Sequence, residues 1–163
     1  MSIPLAIQDF LNQTGRPYRA FHHRPAYTAQ EEAAVTHIPG KLWAKTVVCL
    51  ADNEPVLAVL PAHYRLDLDK LRQLAGASML RLARESEISG MYPDCETGAM
   101  PPFGPLFGER VFVDESLTRG SELVFNAGTH ADAVRMSFDD FQAVTSPTIG
   151  VFGRSPAQPR TGH

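Results

Sequence analysis

Ala44-Lys45-Thr46-Val47-Val48-Cys49-Leu50-Ala51-Asp52-Asn53-Glu54-Pro55-Val56-Leu57-Ala58-Val59-Leu60 holds two apolar runs separated by a short polar one. Ala44 to Leu50 and Val56 to Leu60 are rich in β-branched and aliphatic residues, and Asp52-Asn53-Glu54 supplies the turn chemistry between them. The spacing predicts a β-hairpin. On either side the pattern changes. Toward the N-terminus, Ile3, Ile7, Phe10 and Leu11 fall on one face of a helix that Gly15 ends. Tyr18 to Phe21 follows as a short strand. Thr28 with Glu31 three residues on predicts a capped helix from Ala29 to about Val35, broken by Pro39-Gly40. Toward the C-terminus, Leu68, Leu71 and Leu74 predict a helix over Asp67 to Ala75 with Gly76 as its stop, and Arg81 to Ile88 reads as another. Arg110 to Val113, Leu123 to Asn126 and Ala133 to Met136 read as strands. Ser137 caps a helix through Val144, with Asp139 and Asp140 in its first turn, and Thr148 to Phe152 is a last strand. Strands come in hairpin-like groups without regular βαβ alternation. The expected fold is therefore α+β, a mixed and largely antiparallel sheet, partly barrel-like, surrounded by helices.

The chain of 163 residues suits one domain, expected over residues 1–153, with a polar, disordered tail over 154–163 that contains Pro156 and Pro159. No repeat or linker interrupts it. A net charge of −3 argues against a strongly basic, non-specific nucleic-acid binder. It leaves room for a local basic patch drawn from Arg16, Arg19, His22, His23, Arg24, Lys41, Lys45, Arg81 and Arg84. No apolar run reaches the length of a membrane span, and the opening residues lack a signal-peptide pattern. Cys49 and Cys95 form neither a metal-type pair nor a disulfide framework. The cytoplasm is the expected compartment.

Gly98-Ala99-Met100-Pro101-Pro102-Phe103-Gly104 is the second informative stretch. Two adjacent prolines fix two φ angles, remove two donors and exclude both helix and central strand. The result is a stiff loop. Alone it reads as a surface turn, and such a loop also suits the wall of a binding site. Backbone donors should lie at its start, at Gly98 or Ala99. Lys45 stands at the mouth of an apolar strand, where a cation can donate to an ester carbonyl or a phosphate. Taken alone, the commoner role of such a lysine is to guard a strand edge. Phe125-Asn126-Ala127-Gly128-Thr129-His130 runs a strand into a tight turn that carries a histidine able to bind substrate or move protons. His22 and His23 are adjacent and point to opposite faces, so they cannot chelate one metal together. No HExxH, CxxC, Walker, GxGxxG or GxSxG pattern is present, and no metal or cofactor is expected.

Taken together, Ala44-Lys45-Thr46, the Gly98-x-x-x-Pro102 loop and Phe125 to His130 resemble the YbaK-like aminoacyl-tRNA deacylases. That family is related to the editing domain inserted in bacterial prolyl-tRNA synthetases. The resemblance covers residues 18 to 152 and implies hydrolysis of mischarged aminoacyl-tRNA in trans, releasing free amino acid and tRNA, with a synthetase as a further partner. It implies Lys45 as the catalytic residue. Gly98, Ala99, Met100, Pro101, Pro102, Phe103, Asn126, Gly128 and His130 are implied as substrate-binding positions. Thr46 and Leu50 stand where the alanine-specific members of that family carry asparagine and lysine. Two other functions fit the same residues: a non-catalytic nucleic-acid-binding or regulatory protein on the same fold, and a hydrolase of another small activated ester.

Overall fold

The hairpin forms as its sequence dictates. In the computed structural model, which describes residues 3–156, β2 (Ala44–Ala51) pairs antiparallel with β3 (Glu54–Pro61) from Ala51↔Glu54 to Ala44↔Pro61. Asp52 and Asn53 turn the chain with φ of 49° and 69°. Two consecutive left-handed residues match the twist of the flanking strands, and Asp and Asn tolerate that conformation best among residues with a side chain. Before the hairpin come α1 (Leu5–Thr14), β1 (Arg19–His22) and α2 (Ala29–Thr36). Thr28 caps α2 by accepting from the Glu31 N–H at 3.1 Å. After it come β4 (Arg65–Leu66), α3 (Leu68–Ala75), β5 (Leu80–Leu82), α4 (Glu85–Met91) and α5 (Gly104–Phe107). The chain finishes with β6 (Arg110–Asp114), β7 (Glu122–Asn126), β8 (Asp132–Ser137), α6 (Phe138–Thr145), β9 (Thr148–Gly150) and β10 (Gly153–Arg154).

The fold is the expected α+β arrangement, with two corrections to its topology. A five-stranded sheet runs β5-β2-β3-β6-β9 and a three-stranded sheet runs β1-β8-β7. The second is antiparallel throughout, but β3-β6 and β6-β9 are parallel. Val56 to Leu60 is 1 % exposed or less at every position. A strand covered on both faces has no polar alternation and suits the middle of a mixed sheet, as this uninterrupted apolar run does. The sheets are open, and no barrel closes among the described residues. A single parallel bridge, Trp43↔Val124, joins them.

The second correction concerns Arg81 to Ile88. Its start is not helical: Leu80–Leu82 pairs antiparallel with Cys49–Ala51, completing the β2 edge, and the helix begins only at Glu85. The last predicted strand ends at Gly150, where Leu74 fills the space a side chain would need (2.6 Å). Phe152 and Gly153 then donate backbone N–H groups to the buried Asp114 carboxylate. Arg154 pairs with Arg65 in β10, while residues 157–163 of the expected disordered tail, and Met1 and Ser2, lie outside the described residues.

Alternation along β3 sends Leu57 and Val59 to one face and Val56, Ala58 and Leu60 to the other. On the second face, α3 covers the sheet through Leu71, packed with Cys49, Phe112 and Phe152. On the first, Val59 joins Ile7 and Leu11 of α1 with Phe103, Phe125 and Phe141. Leu57 meets Val48, Tyr92 and Met100 on that same face. The Gly/Pro loop is thus sewn into the core against β2 and β3, beside the first residues of β2.

Candidate functional site

A cleft of about 330 Å³ opens where the start of β2, the N-terminal turn of α2, the Gly98 loop and the β7–β8 turn meet. Lys45 enters it from β2, Glu32 from α2, Gly98 and Met100 from the loop, and Asn126 and His130 from the turn, with Tyr27, Thr28 and Thr46 on its walls. Tyr27 and His130, 103 positions apart in the chain, are thereby brought into contact.

Backbone hydrogen bonds zip the loop to the turn. Glu96 N–H donates to Gly128 O at 2.8 Å, Gly128 N–H to Ala99 O at 2.8 Å, and Ala99 N–H to Glu96 O at 3.0 Å. The His130 N–H donates to Glu96 Oε1 at 2.7 Å. Gly128 has φ +97°, and a Cβ there would meet Pro4 Cδ at 2.6 Å, so only glycine fits. These bonds sort the sequence-predicted loop and turn residues. Gly98, Met100, Asn126 and His130 line the cleft. Ala99 is fully buried with its N–H already used, so it has no donor to offer. The Gly98 and Met100 N–H groups have no partner among the described residues, and Gly98 is the first free donor of the loop. Pro101 and Pro102 are buried behind the wall. Phe103 is fully buried and stacks in the core 5.1 Å from Phe10 and 5.3 Å from Phe125, so it holds the loop and does not line the cleft. Gly128 shapes the turn from behind.

Lys45 is half-buried and has no hydrogen-bond or ion-pair partner among the described residues. Burial, and secondarily the nearby Arg65 charge, lower its pKa. A desolvated ammonium without a counter-ion is suited to donating to a ligand. Glu32, which sequence reasoning missed, is 7 % exposed. Burial raises its pKa, opposed by the Asn126 hydrogen bond and the His130 ring. Asn126 Nδ2 donates to Glu32 Oε2 at 2.8 Å. Ala29–Thr36 carries no apolar stripe, and the residue it buries is this glutamate. His130 stacks on Tyr27 with ring centroids 4.5 Å apart. Its Nε2 lies 2.9 Å from the Thr97 carbonyl, which can only accept, so Nε2 carries the proton.

Three buried polar atoms of cleft residues find no partner: Thr46 Oγ1, Asn126 Oδ1 and His130 Nδ1. Each such atom costs about 1–3 kcal/mol if nothing satisfies it. Their concentration on one cleft marks a place built for a polar ligand. Nucleophilic thiols are not part of it. Burial holds Cys49 up to about 12 and Cys95 up to about 11, leaving both protonated at neutral pH. Elsewhere, His22 bonds Asp132 at 3.0 Å and His23 bonds a backbone carbonyl, and no metal-holding group of three His, Cys, Asp or Glu forms among the described residues. Arg16 and Arg81 pair with Asp140 and Glu87. No described helix is long and apolar enough to cross a membrane.

Residues 23–144 match the family described as the aminoacyl-tRNA editing domain. Among curated proteins, the proline–tRNA ligase of Nitratidesulfovibrio vulgaris (Hildenborough) is 30 % identical over 117 residues, which is 70 % of this chain and 20 % of the ligase. That of Streptococcus pyogenes serotype M1 is 27 % identical over 146 residues, 87 % of this chain and 22 % of the ligase. The chain thus spans about a fifth of the length of these curated relatives. A solved structure described as a candidate trans-editing enzyme for prolyl-tRNA synthetase superposes with a TM-score of 0.81 at 23 % identity, covering 94 % of this chain and 100 % of the other.

Proposed function

The chain belongs to the aminoacyl-tRNA editing domain family, and from that premise we propose that it hydrolyses the ester of mischarged aminoacyl-tRNA in trans, releasing free amino acid and tRNA. The observation that carries this reading is the cleft itself, where an unpaired ammonium, a free backbone N–H and unsatisfied acceptors face one small space. The editing unit spans residues 1–153 and works in the cytoplasm, with mischarged tRNA as its partner and a synthetase as the source of that tRNA.

In this mechanism the Lys45 ammonium and the Gly98 N–H donate to the ester carbonyl oxygen and hold the negative charge that grows on it. Water attacks the acyl carbon, assisted by the free ribose hydroxyl of the substrate. The carbon–oxygen bond to the ribose then breaks, the ribose oxygen takes one of the two protons of the attacking water, and the amino acid leaves as its carboxylate with the second proton passing to solvent. An aminoacyl ester is already activated, so neither a nucleophilic side chain nor a cofactor is needed. Met100 and the stacked Tyr27–His130 pair bound the space left for the amino-acid side chain, giving selection by size.

A panel of mischarged tRNAs tests the proposal. Wild-type protein is expected to deacylate at least one member faster than buffer, and Lys45→Ala to reduce that rate by about 10²–10³-fold, as loss of an oxyanion donor does. No deacylation of any member sinks the reading. Full activity in Lys45→Ala moves the chemistry to another residue. A salt-dependent affinity for duplex DNA without hydrolysis would instead favour a binding module, and hydrolysis of simple activated esters but not of charged tRNA would favour a general esterase.

A further inference from the structure

Two of the three unsatisfied atoms of the cleft, Asn126 Oδ1 and His130 Nδ1, are acceptors, and the third, Thr46 Oγ1, is a hydroxyl that can donate or accept. His130 gives its ring proton to the Thr97 carbonyl, so Nδ1 presents a lone pair, and a proton placed on it would find no acceptor. The Asn126 amide is fixed in orientation by donating Nδ2 to Glu32, so Oδ1 is the free end and accepts. The Glu32 carboxylate accepts that one hydrogen bond and no other among the described residues. Two elements therefore bring three acceptor groups to the cleft: α2 a carboxylate, and the β7–β8 turn an amide oxygen and a ring nitrogen.

An occupant that satisfies such a set must be a donor, and a buried carboxylate asks for a cation. Lys45 is not that cation. No ion pair joins Lys45 to Glu32 among the described residues, and the two enter the cleft from different elements, β2 and α2. The cleft thus has a cationic end and an acceptor end. A hydroxyl brings one donor and no charge. A primary ammonium brings three donors and a charge opposite to that of Glu32.

We propose that Glu32, with Asn126 Oδ1 and His130 Nδ1, binds the free α-ammonium of the aminoacyl group, so that the cleft accepts free aminoacyl esters and rejects N-acylated ones. This assignment rests on the ester-hydrolase reading above: with the carbonyl oxygen at Lys45 and Gly98, the α-amino group, two bonds from the carbonyl carbon, reaches the opposite wall. N-acylation removes the charge and two of the three donors, and adds bulk beside Tyr27. Glu32 and Asn126 are positioning and specificity residues in this scheme, and Lys45 remains the group at the reacting atoms.

The test uses a hydrolysis-resistant ligand, adenosine carrying an aminoacyl group on a 3′-amide, with and without an N-acetyl cap. Calorimetric titration of wild type is expected to give at least tenfold tighter binding of the free amine. Glu32→Gln keeps an acceptor for Asn126 Nδ2 but loses the charge, and should cut that preference to threefold or less while leaving the capped ligand within about twofold. Glu32→Asp should keep part of the preference, which a merely structural role would not do. Equal wild-type affinity for the two ligands, or an undiminished preference in Glu32→Gln, overturns the proposal. A parallel comparison of free and N-acetylated aminoacyl-tRNA separates the two readings. Hydrolysis of both at equal rates leaves the deacylase standing and removes the ammonium site. Preserved amine selectivity in binding, with no hydrolysis of any charged tRNA, does the reverse.

Discussion

Lys45 is a cation held partly out of water with another cation nearby and no acid to answer it. Its charged form is disfavoured by burial first and by Arg65 second. A lysine whose pKa is lowered gives up its proton at a lower pH than an exposed one. Lys45-dependent deacylation, measured against spontaneous hydrolysis, is therefore expected to fall with rising pH earlier than a free lysine would require. Arg65→Gln removes a repulsion, raises the Lys45 pKa and should move that falling limb to higher pH; a limb that does not move would separate activity from Lys45 protonation. Glu32 gives the opposite case. Burial raises its folded pKa, so its charge costs stability in full above the folded value, and the cost shrinks below that value and disappears as pH falls through the unfolded one. Glu32→Gln is expected to raise Tm at pH 7.5, with the gain shrinking toward pH 4.5, a gain in stability set against a loss of selectivity. Lys45 and His130 were legible because strand mouths and tight turns display their side chains. Glu32 was not, because its burial is made by Asn126, 94 residues on.

Local signals located most of the elements. Thr28 and Ser137 each accept from the N–H three residues on, as their positions predicted, Asp67 proves to be the cap of α3 and not its first residue, and Gly15 and Gly76 end their helices in left-handed conformation. The failures share a cause. Leu80–Leu82 is too short and too exposed to announce a strand, and forms one because the β2 edge lies beside it. α2 is the least anchored helix of the site, since Glu32 is the residue it buries. Thr28→Ala should cost about 1 kcal/mol of helix stability. With so little of α2 tied to the core, the loss is expected as faster amide exchange over residues 29–36, with β2 and β3 protected as before. Equal acceleration in all three elements would show that α2 unfolds only with the whole domain.

At the scale of the molecule, the site depends on the core beneath it. Phe103 connects the Gly/Pro loop to α1 and β7 through Phe10 and Phe125. Phe103→Ala should lower stability by about 3–5 kcal/mol, read as a lower urea midpoint with an unchanged slope. An effect under 1 kcal/mol would mean the loop stands without this anchor. The α+β class followed from apolar runs and caps, but strand order did not. The partners of β6 are set by a long crossover that no window of sequence contains, and only the unbroken burial of Val56 to Leu60 hinted at parallel neighbours. Trp43 sits where these scales meet. It is the single tryptophan of the chain, fully buried, bridged to Val124 across the two sheets and two residues from Lys45. Its indole N–H is buried without a partner, and its ring stands edge-on to His23 at 6.0 Å. The protein therefore contains its own optical probe: one fluorophore, shielded from soluble quenchers, whose emission reports on the seam where ligand would arrive, with no label added.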